Sequence, residues 1–524
     1  MMRWRNWLAL GALALGPLAF GIGAAPLRAE PLKVVLEAEI VTLDPHFTGA
    51  YITRTFGYMV FDTLFGPDSK GTMQPQMVDK YTTSEDGLTW NFTLRPGQSF
   101  HDGAPVTGAD VVASLKRWFT RSALGGRLAA VTDRLEATGP GSFTLVLKER
   151  YGLVLDTLGT TSSPTPFIMP ARIAATPGAR QVSEIVGSGP FVYDRARHRT
   201  GDSLYLRRNE AYRPRPEPTD FLAGAKVVKV DGLDIRVIPD GATAYSALQA
   251  GDIDYMQYAP FDMLAAIERD RRLRLMNFTG AHRFTGHYRV NTASPPFNDP
   301  AIRRVLLRLV NQTEVMAGLG LDGRYSESCA AFFICGSPYE TLQGAEALVD
   351  PSIEAAAAAL KQTKYAGEPV IVLTASDLEA PKVSSQILAD RLARAGFKVD
   401  LQVMDWASVL ARRTQRQGWS VYGVHALGFD LASPLTNSVI AFNCTSSLTG
   451  GFICDQRLVP LYEAFARAPS REAQRDIAGQ IQAIIYEQGL GIPFGQFAQP
   501  AAYRAVLEGL PNSAIPLFWN VTKK

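Results

Sequence analysis

Two strand–helix–strand patterns stand far apart in this chain, and together they constrain its fold more than any other feature. In the first, residues 235–238 read as a strand and 240–250 as a helix, with 253–255 as the returning strand. Asp240 is placed to cap that helix and Gly251 to end it in the left-handed conformation. In the second, strand 370–373 leads to a helix over 382–395 that stops at Gly396, and Phe397, Val399, Leu401 and Val403 alternate as the return strand. A helical crossover between two strands implies parallel pairing, because antiparallel neighbours need only a tight turn. Two such units in one chain predict two separate α/β lobes. Clefts between lobes are where ligands usually bind.

The intervening elements are readable from period alone. Leu88, Trp90, Phe92 and Leu94 alternate with Thr89, Asn91 and Thr93, which is the period of a half-buried strand. Val111, Val112, Leu115, Trp118 and Phe119 then recur at helical spacing, with Thr107 and Asp110 positioned as a capping box. Residues 143–147 read as another strand. Asp299-Pro300 opens a helix that buries Ile302, Val305, Leu306, Leu309 and Val310. Ser470 caps one carrying Ile477, Ile481, Ile484 and Ile485 up to Gly489, and the alanine run 355–359 is plain helix. Linkers are expected at 213–218 and 291–296.

The N-terminus has the layout of a secretory signal. Arg3 and Arg5 precede an uncharged stretch over 7–25, and small residues crowd 21–29. With 1–29 removed, the rest of the 524-residue chain has room for three structural units at about 150 residues each. Hydrophobic residues make up 46% and charged residues 20%, an ordinary globular balance. The 53 basic residues include Arg3, Arg5 and Arg28 of the leader, so the remainder balances 50 basic against 50 acidic residues. A neutral chain without basic clusters lacks the concentrated positive field that nucleic acids and anionic membranes require. The four cysteines are Cys329, Cys335, Cys444 and Cys454. Four cysteines allow three pairings, of which the local one, Cys329–Cys335 with Cys444–Cys454, is the simplest. Metal ligation is the alternative, but there is no C-x-x-C. None lies near the start of the mature chain, so no lipid anchor is expected. A freely diffusing exported protein is retained only by a second membrane, which points to a periplasm.

Catalytic signatures are absent from the sequence. There is no G-x-S-x-G, S-x-x-K, H-E-x-x-H or phosphate-binding loop. The stretch 318–323 matches G-x-G-x-x-G but follows a helical pattern, whereas a dinucleotide fingerprint must follow a strand, so it reads as a helix-ending loop. The six histidines are scattered, with only His282 and His287 near each other. His101-Asp102-Gly103 reads as a tight turn. No catalytic residue, cofactor or metal site is expected.

The ordered landmarks carry a resemblance. Leu43-Asp44-Pro45 is followed by the segment 84–97 (SEDGLTWNFTLRPG), then by Phe100-His101-Asp102-Gly103 and Pro105-Val106-Thr107. Further on come Gly187-Ser188-Gly189-Pro190-Phe191, Leu206-Arg207-Arg208-Asn209 with Tyr212, and Ala247-Leu248-Gln249-Ala250-Gly251-Asp252-Ile253-Asp254. Asn291, Pro296-Phe297, Asp299 and Ile492-Pro493 complete the order. This resembles the family 5 extracellular solute-binding proteins, the peptide, oligopeptide and nickel binders of ATP-binding-cassette importers. The resemblance covers essentially the whole mature chain. It implies an α/β, two-lobed periplasmic-binding-protein fold (type II, cluster C) with an extra third domain and a hinge. Lobe I is expected at 31–70, 186–283 and 496–524, the extra domain at 71–185, and lobe II at 284–495. The hinge crossings are expected near 282–291 and 492–499.

The implied function is a monomeric periplasmic component of an importer, capturing a peptide or peptide-like solute by hinge closure and delivering it to an inner-membrane permease and its ATPase. The same scaffold binding a nickel chelate, an opine-like compound or a sugar-amine is the alternative, and a secreted hydrolase is a remote one. For a chelate, His282, His287 or His425 would have to converge on the cleft. In peptide-binding members an aspartate four residues before a proline accepts the peptide ammonium. Asp430 stands at that spacing from Pro434, with Phe429 beside it, although the aromatic expected near Ala426 is missing. The arginine that holds the carboxylate in dipeptide-binding members would fall at 374–381, where this chain has Asp377 and Glu379 and no arginine. Tyr51, Tyr58, Trp406 and Tyr422 are the aromatics with polar tips expected to line the cleft.

Overall fold

The computed structural model describes residues 30–441, 443–444 and 451–524; the expected signal segment at 1–29 lies outside them. Two large mixed sheets dominate. The first has seven strands in the order Phe191–Arg199, Ser203–Arg208, Gly232–Arg236, Leu32–Val35, Tyr255–Met256, Ala501–Arg504 and Leu273–Met276. The second has six, ordered Ser326–Glu327, Gly491–Phe497, Phe284–Val290, Val421–Leu427, Pro369–Ala375 and Lys398–Met404.

Both strand–helix–strand units are present, with one difference. Gly232–Arg236 and Tyr255–Met256 are parallel to each other but not neighbours, because each pairs in parallel with Leu32–Val35 between them. That N-terminal strand, Leu-Lys-Val-Val, buries Leu32 and Val34 completely and so takes a central place in its sheet. In the second unit Pro369–Ala375 pairs directly with Lys398–Met404, and on its other edge in parallel with Val421–Leu427. The local signals for helix ends operate as expected. Asp240 accepts from Thr243 N, Gly251 and Gly489 are left-handed at φ 84° and 58°, and Ser470 accepts from Ala473 N. The 318–323 glycine motif follows the helix Gln312–Gly318 and ends it.

A four-stranded antiparallel sheet, in the order Val78–Thr83, Thr89–Leu94, Ser142–Leu147 and Thr132–Gly139, forms a third layer. The helix Gly108–Phe119 packs on it with Trp118 wholly buried. Its capping box is complete: Thr107 Oγ1 accepts from Asp110 N and the Asp110 carboxylate accepts from Thr107 N. Arg117 on this helix donates two bonds to Asp44, at 3.1 and 2.7 Å, both side chains being buried. The Leu43-Asp44-Pro45 landmark is thereby a clamp between the N-terminal segment and this layer. Both local disulfides, Cys329–Cys335 and Cys444–Cys454, are formed.

The chain passes between the two large sheets twice. It leaves the first after Leu273–Met276 and enters the second at Phe284, then leaves the second after Gly491–Phe497 and re-enters the first at Ala501. The outward crossing at 277–283 comes earlier than the sequence placed it, because Phe284–Val290 is itself an interior strand of the second sheet, paired on both edges. Two adjacent crossings between two sheets are the connectivity of a hinge.

Candidate functional site

The site is built where the two large sheets face each other. The end of the strand Leu32–Val35 delivers Glu37, and the helix Tyr51–Val60 delivers Tyr51 at its first residue. From the other side, the strand Phe284–Val290 presents Thr285, His287 and Arg289, which share one face because side chains alternate along a strand. The helix Trp406–Arg412, capped by Asp405, brings Trp406 and, just past its end, Arg413. Ser438 and Leu431 close the wall. These residues enclose a cavity of about 530 Å³. Glu37 also borders an adjoining cavity of about 580 Å³, so the two spaces share one carboxylate.

Several polar atoms of this cavity have no hydrogen-bond partner among the described residues. Thr285 and His287 are 0% and 1% exposed, and Thr285 Oγ1 and both ring nitrogens of His287 are unpaired. Arg413 donates to Tyr422 Oη at 3.2 Å while its Nε is unpaired. Arg289 donates from Nη1 and Nη2 to the Ser438 carbonyl and hydroxyl, at 2.7 and 2.8 Å. Buried polar groups are normally satisfied, so a cluster of unpaired ones around a cavity marks a place made for a polar guest. Burial, aided by the Arg289 charge, drops the His287 pKa to about 3, so this ring is neutral at physiological pH. Burial also raises the Glu37 carboxyl above its ordinary value, opposed by a 3.0 Å bond from Tyr258 Oη and by Arg54.

The residues singled out from sequence are distributed around this centre. Tyr51 and Trp406 both line the 530 Å³ cavity. Phe429 lines a separate cavity of about 480 Å³, where it packs with Phe221 and His282 at centroid distances of 6.2 and 5.8 Å. Tyr422 lies behind the cavity wall, fully buried against Trp419 and Trp406, and serves Arg413 as an acceptor. Tyr58 is core, edge-on to Phe167. Asp430 is buried, and the cation expected from a ligand is supplied from within: both of its oxygens lie 2.9 Å from Arg54 Nη1. Asp377 accepts from the Trp406 backbone N–H at 2.8 Å and so orders that helix start. His101 is structural, bonded to Gly189 O at 3.1 Å and accepting from Gly187 N.

The three histidines do not converge. His287 and His425 both border the first cavity and His282 the separate one, but the His425 ring packs against Phe284 and Phe497 on the opposite face of the sheet from His287. Among the described residues no cluster of three His, Cys, Asp or Glu side chains could hold a metal ion. Glu37, Thr285, Arg289, Arg413 and Ser438 were not singled out from sequence, nor was His287 outside a chelate. One signal for three of them is present: Thr285, His287 and Arg289 form a polar row at period two in a strand whose every residue is buried.

Two facing sheets joined by paired crossings, with a polar cavity between them, define the two-lobed periplasmic-binding-protein fold. Solved structures of that class overlay on the chain almost end to end. A periplasmic binding protein from A. tumefacien R10, in complex with agropinic acid, matches with a TM-score of 0.77 and 22% identity over 94% of this chain and 99% of its own. A Helicobacter pylori binding protein in complex with the peptide STSA matches with a TM-score of 0.75 and 18% identity, over 95% and 98%. The description "Bacterial extracellular solute-binding proteins, family 5 Middle" fits residues 72–447. A probable peptide ABC transporter periplasmic-binding protein of Sinorhizobium fredii is 32% identical over 508 residues, 94% of this chain and 93% of that protein. The chain belongs to family 5 of the bacterial extracellular solute-binding proteins, the solute-capturing components of ATP-binding-cassette importers.

Proposed function

We propose that this protein captures a peptide or peptide-like solute between its two large sheets and delivers it to an inner-membrane permease, acting as a soluble, unanchored periplasmic monomer without enzymatic activity. The observation that carries this reading is the 530 Å³ cavity, whose walls come from both sheets and carry unpaired buried polar atoms. A solute there touches both lobes only when they are closed, so binding shifts the population toward the closed form, which the permease reads. In this reading lobe I comprises 31–70, 186–283 and 496–524, the extra domain 71–185, and lobe II 284–495. The crossings at 277–283 and 498–500 bend. Tyr51 and Trp406 are the aromatic contacts, and Phe429 belongs to the neighbouring cavity. The peptide-transport relative supports the solute class. Among the described residues no helix is long and apolar enough to cross a membrane.

The test is thermal melting of the exported protein against dipeptides, oligopeptides, opines, sugar-amines, polyamines and nickel chelates. A ligand at a hundred times its dissociation constant adds about 2.7 kcal/mol to native-state stability. A clear upward shift with peptides or peptide-like compounds is expected. A shift with nickel chelates, opines or sugar-amines alone would replace the solute class and keep the scaffold.

A further inference from the structure

We infer that Glu37, and not Asp430, receives the ammonium of the solute, with the side chain of the amine-bearing residue entering the 580 Å³ cavity and the rest of the molecule running through the 530 Å³ cavity toward Arg413. This rests on the solute-binding reading above and gives it an orientation.

Asp430 is closed to a guest cation. Both of its oxygens lie 2.9 Å from Arg54 Nη1, which also donates to Thr161 O. A buried carboxylate already paired within the protein has little attraction left for a second cation. Glu37 is the opposite case. Its backbone N–H donates to Gln257 Oε1 at 2.9 Å, which fixes the residue, while its carboxylate accepts a 3.0 Å bond from the Tyr258 hydroxyl. Among the described residues it makes no ion pair. Burial holds its carboxyl above the ordinary value, with Arg54 opposing this through space, and an ammonium beside it would relieve the cost of its charge.

The place of Glu37 sets the orientation. Among the described residues it alone borders both cavities, so an amine held there has space on either side. The two spaces differ in charge. The 580 Å³ cavity adds Asp262 and Glu379 to Glu37, has no lysine or arginine among its described lining residues, and offers Tyr258 and Phe261 as aromatic faces. The contact of Glu379 with Lys382, at 3.6 Å and exposed, is too weak to cancel that carboxylate. In the 530 Å³ cavity stand Arg413, with its Nε unpaired, and the unpaired Thr285 Oγ1 and His287 ring. A solute with its amine on Glu37 therefore turns its carbonyl and carboxylate oxygens toward Arg413, Thr285 and His287. Its first side chain, neutral or basic, points the other way. The sequence agrees, because Glu379 belongs to the stretch 374–381 that has no arginine.

Calorimetric titration of the exported protein tests this with leucylalanine, N-acetyl-leucylalanine, lysylalanine and glutamylalanine. Leucylalanine is expected to bind about tenfold or more tighter than its acetylated form, which lacks the ammonium, and lysylalanine about tenfold tighter than glutamylalanine. Glu37→Gln is expected to erase the preference for a free amine, and Asp262→Asn with Glu379→Gln the preference for lysylalanine, with the ligand-free melting temperature little changed in each. Equal binding of the acetylated dipeptide overturns the inference, as does a free-amine preference that survives Glu37→Gln. Equal or tighter binding of glutamylalanine overturns the assigned orientation and with it the inference. So does failure of all four dipeptides while a solute from the melting panel binds, which leaves the solute-binding reading intact. No binding by any compound of either set overturns both.

Discussion

Arg54 Nη1 lies 2.9 Å from both carboxylate oxygens of Asp430, although 376 residues separate the two. The pair joins the helix Tyr51–Val60, which follows the first strand, to the short helix Gly428–Leu431 at the end of a strand of the second sheet. Both side chains are almost fully buried, at 2% and 10% exposure. The guanidinium also donates to Thr161 O at 2.8 Å and lies over the rings of Tyr51 and Phe429. Burial pushes the Asp430 carboxyl above its ordinary range, and Arg54 pulls it part of the way back. The ion pair is a built-in tie across the cleft.

Removing one member strands the other charge out of water. Arg54→Met is expected to cost about 3–5 kcal/mol, whereas the double change Arg54→Met with Asp430→Leu recovers most of it, since neither charge then remains. Urea unfolding of the ligand-free protein reads both. A single variant as stable as the wild type would show that the tie forms only in the closed, ligand-bound protein.

Five histidines, each with its pKa lowered by burial, make stability depend on pH, His46 and His287 most strongly. His46 and His287 are buried, and burial lowers each pKa to about 3, with nearby arginines contributing. The unfolded chain binds these protons near pH 6.5 and the folded one does not. Folding stability is therefore full above about pH 6.5 and falls as the pH drops toward the folded values, by about 1.4 kcal/mol per pH unit for each residue. Urea unfolding at pH 7 and pH 5 checks the direction. His287→Leu should flatten the slope by one proton, and an unchanged slope would show that His287 is protonated in the folded state.

The legible parts of this molecule were those fixed by neighbours in sequence. Thr107 and Asp110 close their capping box within one turn, Gly251 and Gly489 end helices where only glycine sits easily, and the Leu88–Leu94 alternation needs nothing distant. What escaped was set by contacts across hundreds of residues. Leu32–Val35 inserts between two strands that local pattern would have paired directly. Tyr51 and Tyr422 look alike in sequence, yet one lines the cavity and the other is sealed behind Trp406. Asp430 could be recognised as a buried carboxylate, but its partner, Arg54, sits in a helix with no local mark of that role. Glu37 and Arg413 face one cavity only because two sheets fold together.

The Gly187-Ser188-Gly189 landmark has a steric cause. A Cβ on Gly187 would stand 1.9 Å from the Val60 carbonyl oxygen, and one on Gly189 would stand 2.6 Å from the Val60 carbonyl carbon. Both obstacles are backbone and cannot rotate away. The same segment is pinned from the other side by His101, whose backbone N–H donates to Gly187 O at 2.8 Å. Gly187→Ala should therefore destabilise by about 1–3 kcal/mol or more through overpacking, seen as a lowered urea midpoint with unchanged slope. A neutral result would mean that Val60 can shift without cost.

The disulfides separate stability from binding. Cys335 donates its backbone N–H to Gln496 Oε1 at 2.7 Å, so the Cys329–Cys335 loop is moored to the strand Gly491–Phe497, just before the crossing at 498–500. Closing so short a loop restricts the unfolded chain by about 2–3 kcal/mol on the chain-entropy account. The variant Cys329→Ser with Cys335→Ser should lose about that much by urea unfolding. Neither cysteine borders the 530 Å³ cavity, so solute affinity measured well below the unfolding transition should stay within about twofold, a small fraction of a kcal/mol. A large loss of affinity without a loss of stability would instead place this loop in the movement of the crossing, because Gln496 links Cys335, and Gln312 links Cys329, to the strand that leads to it.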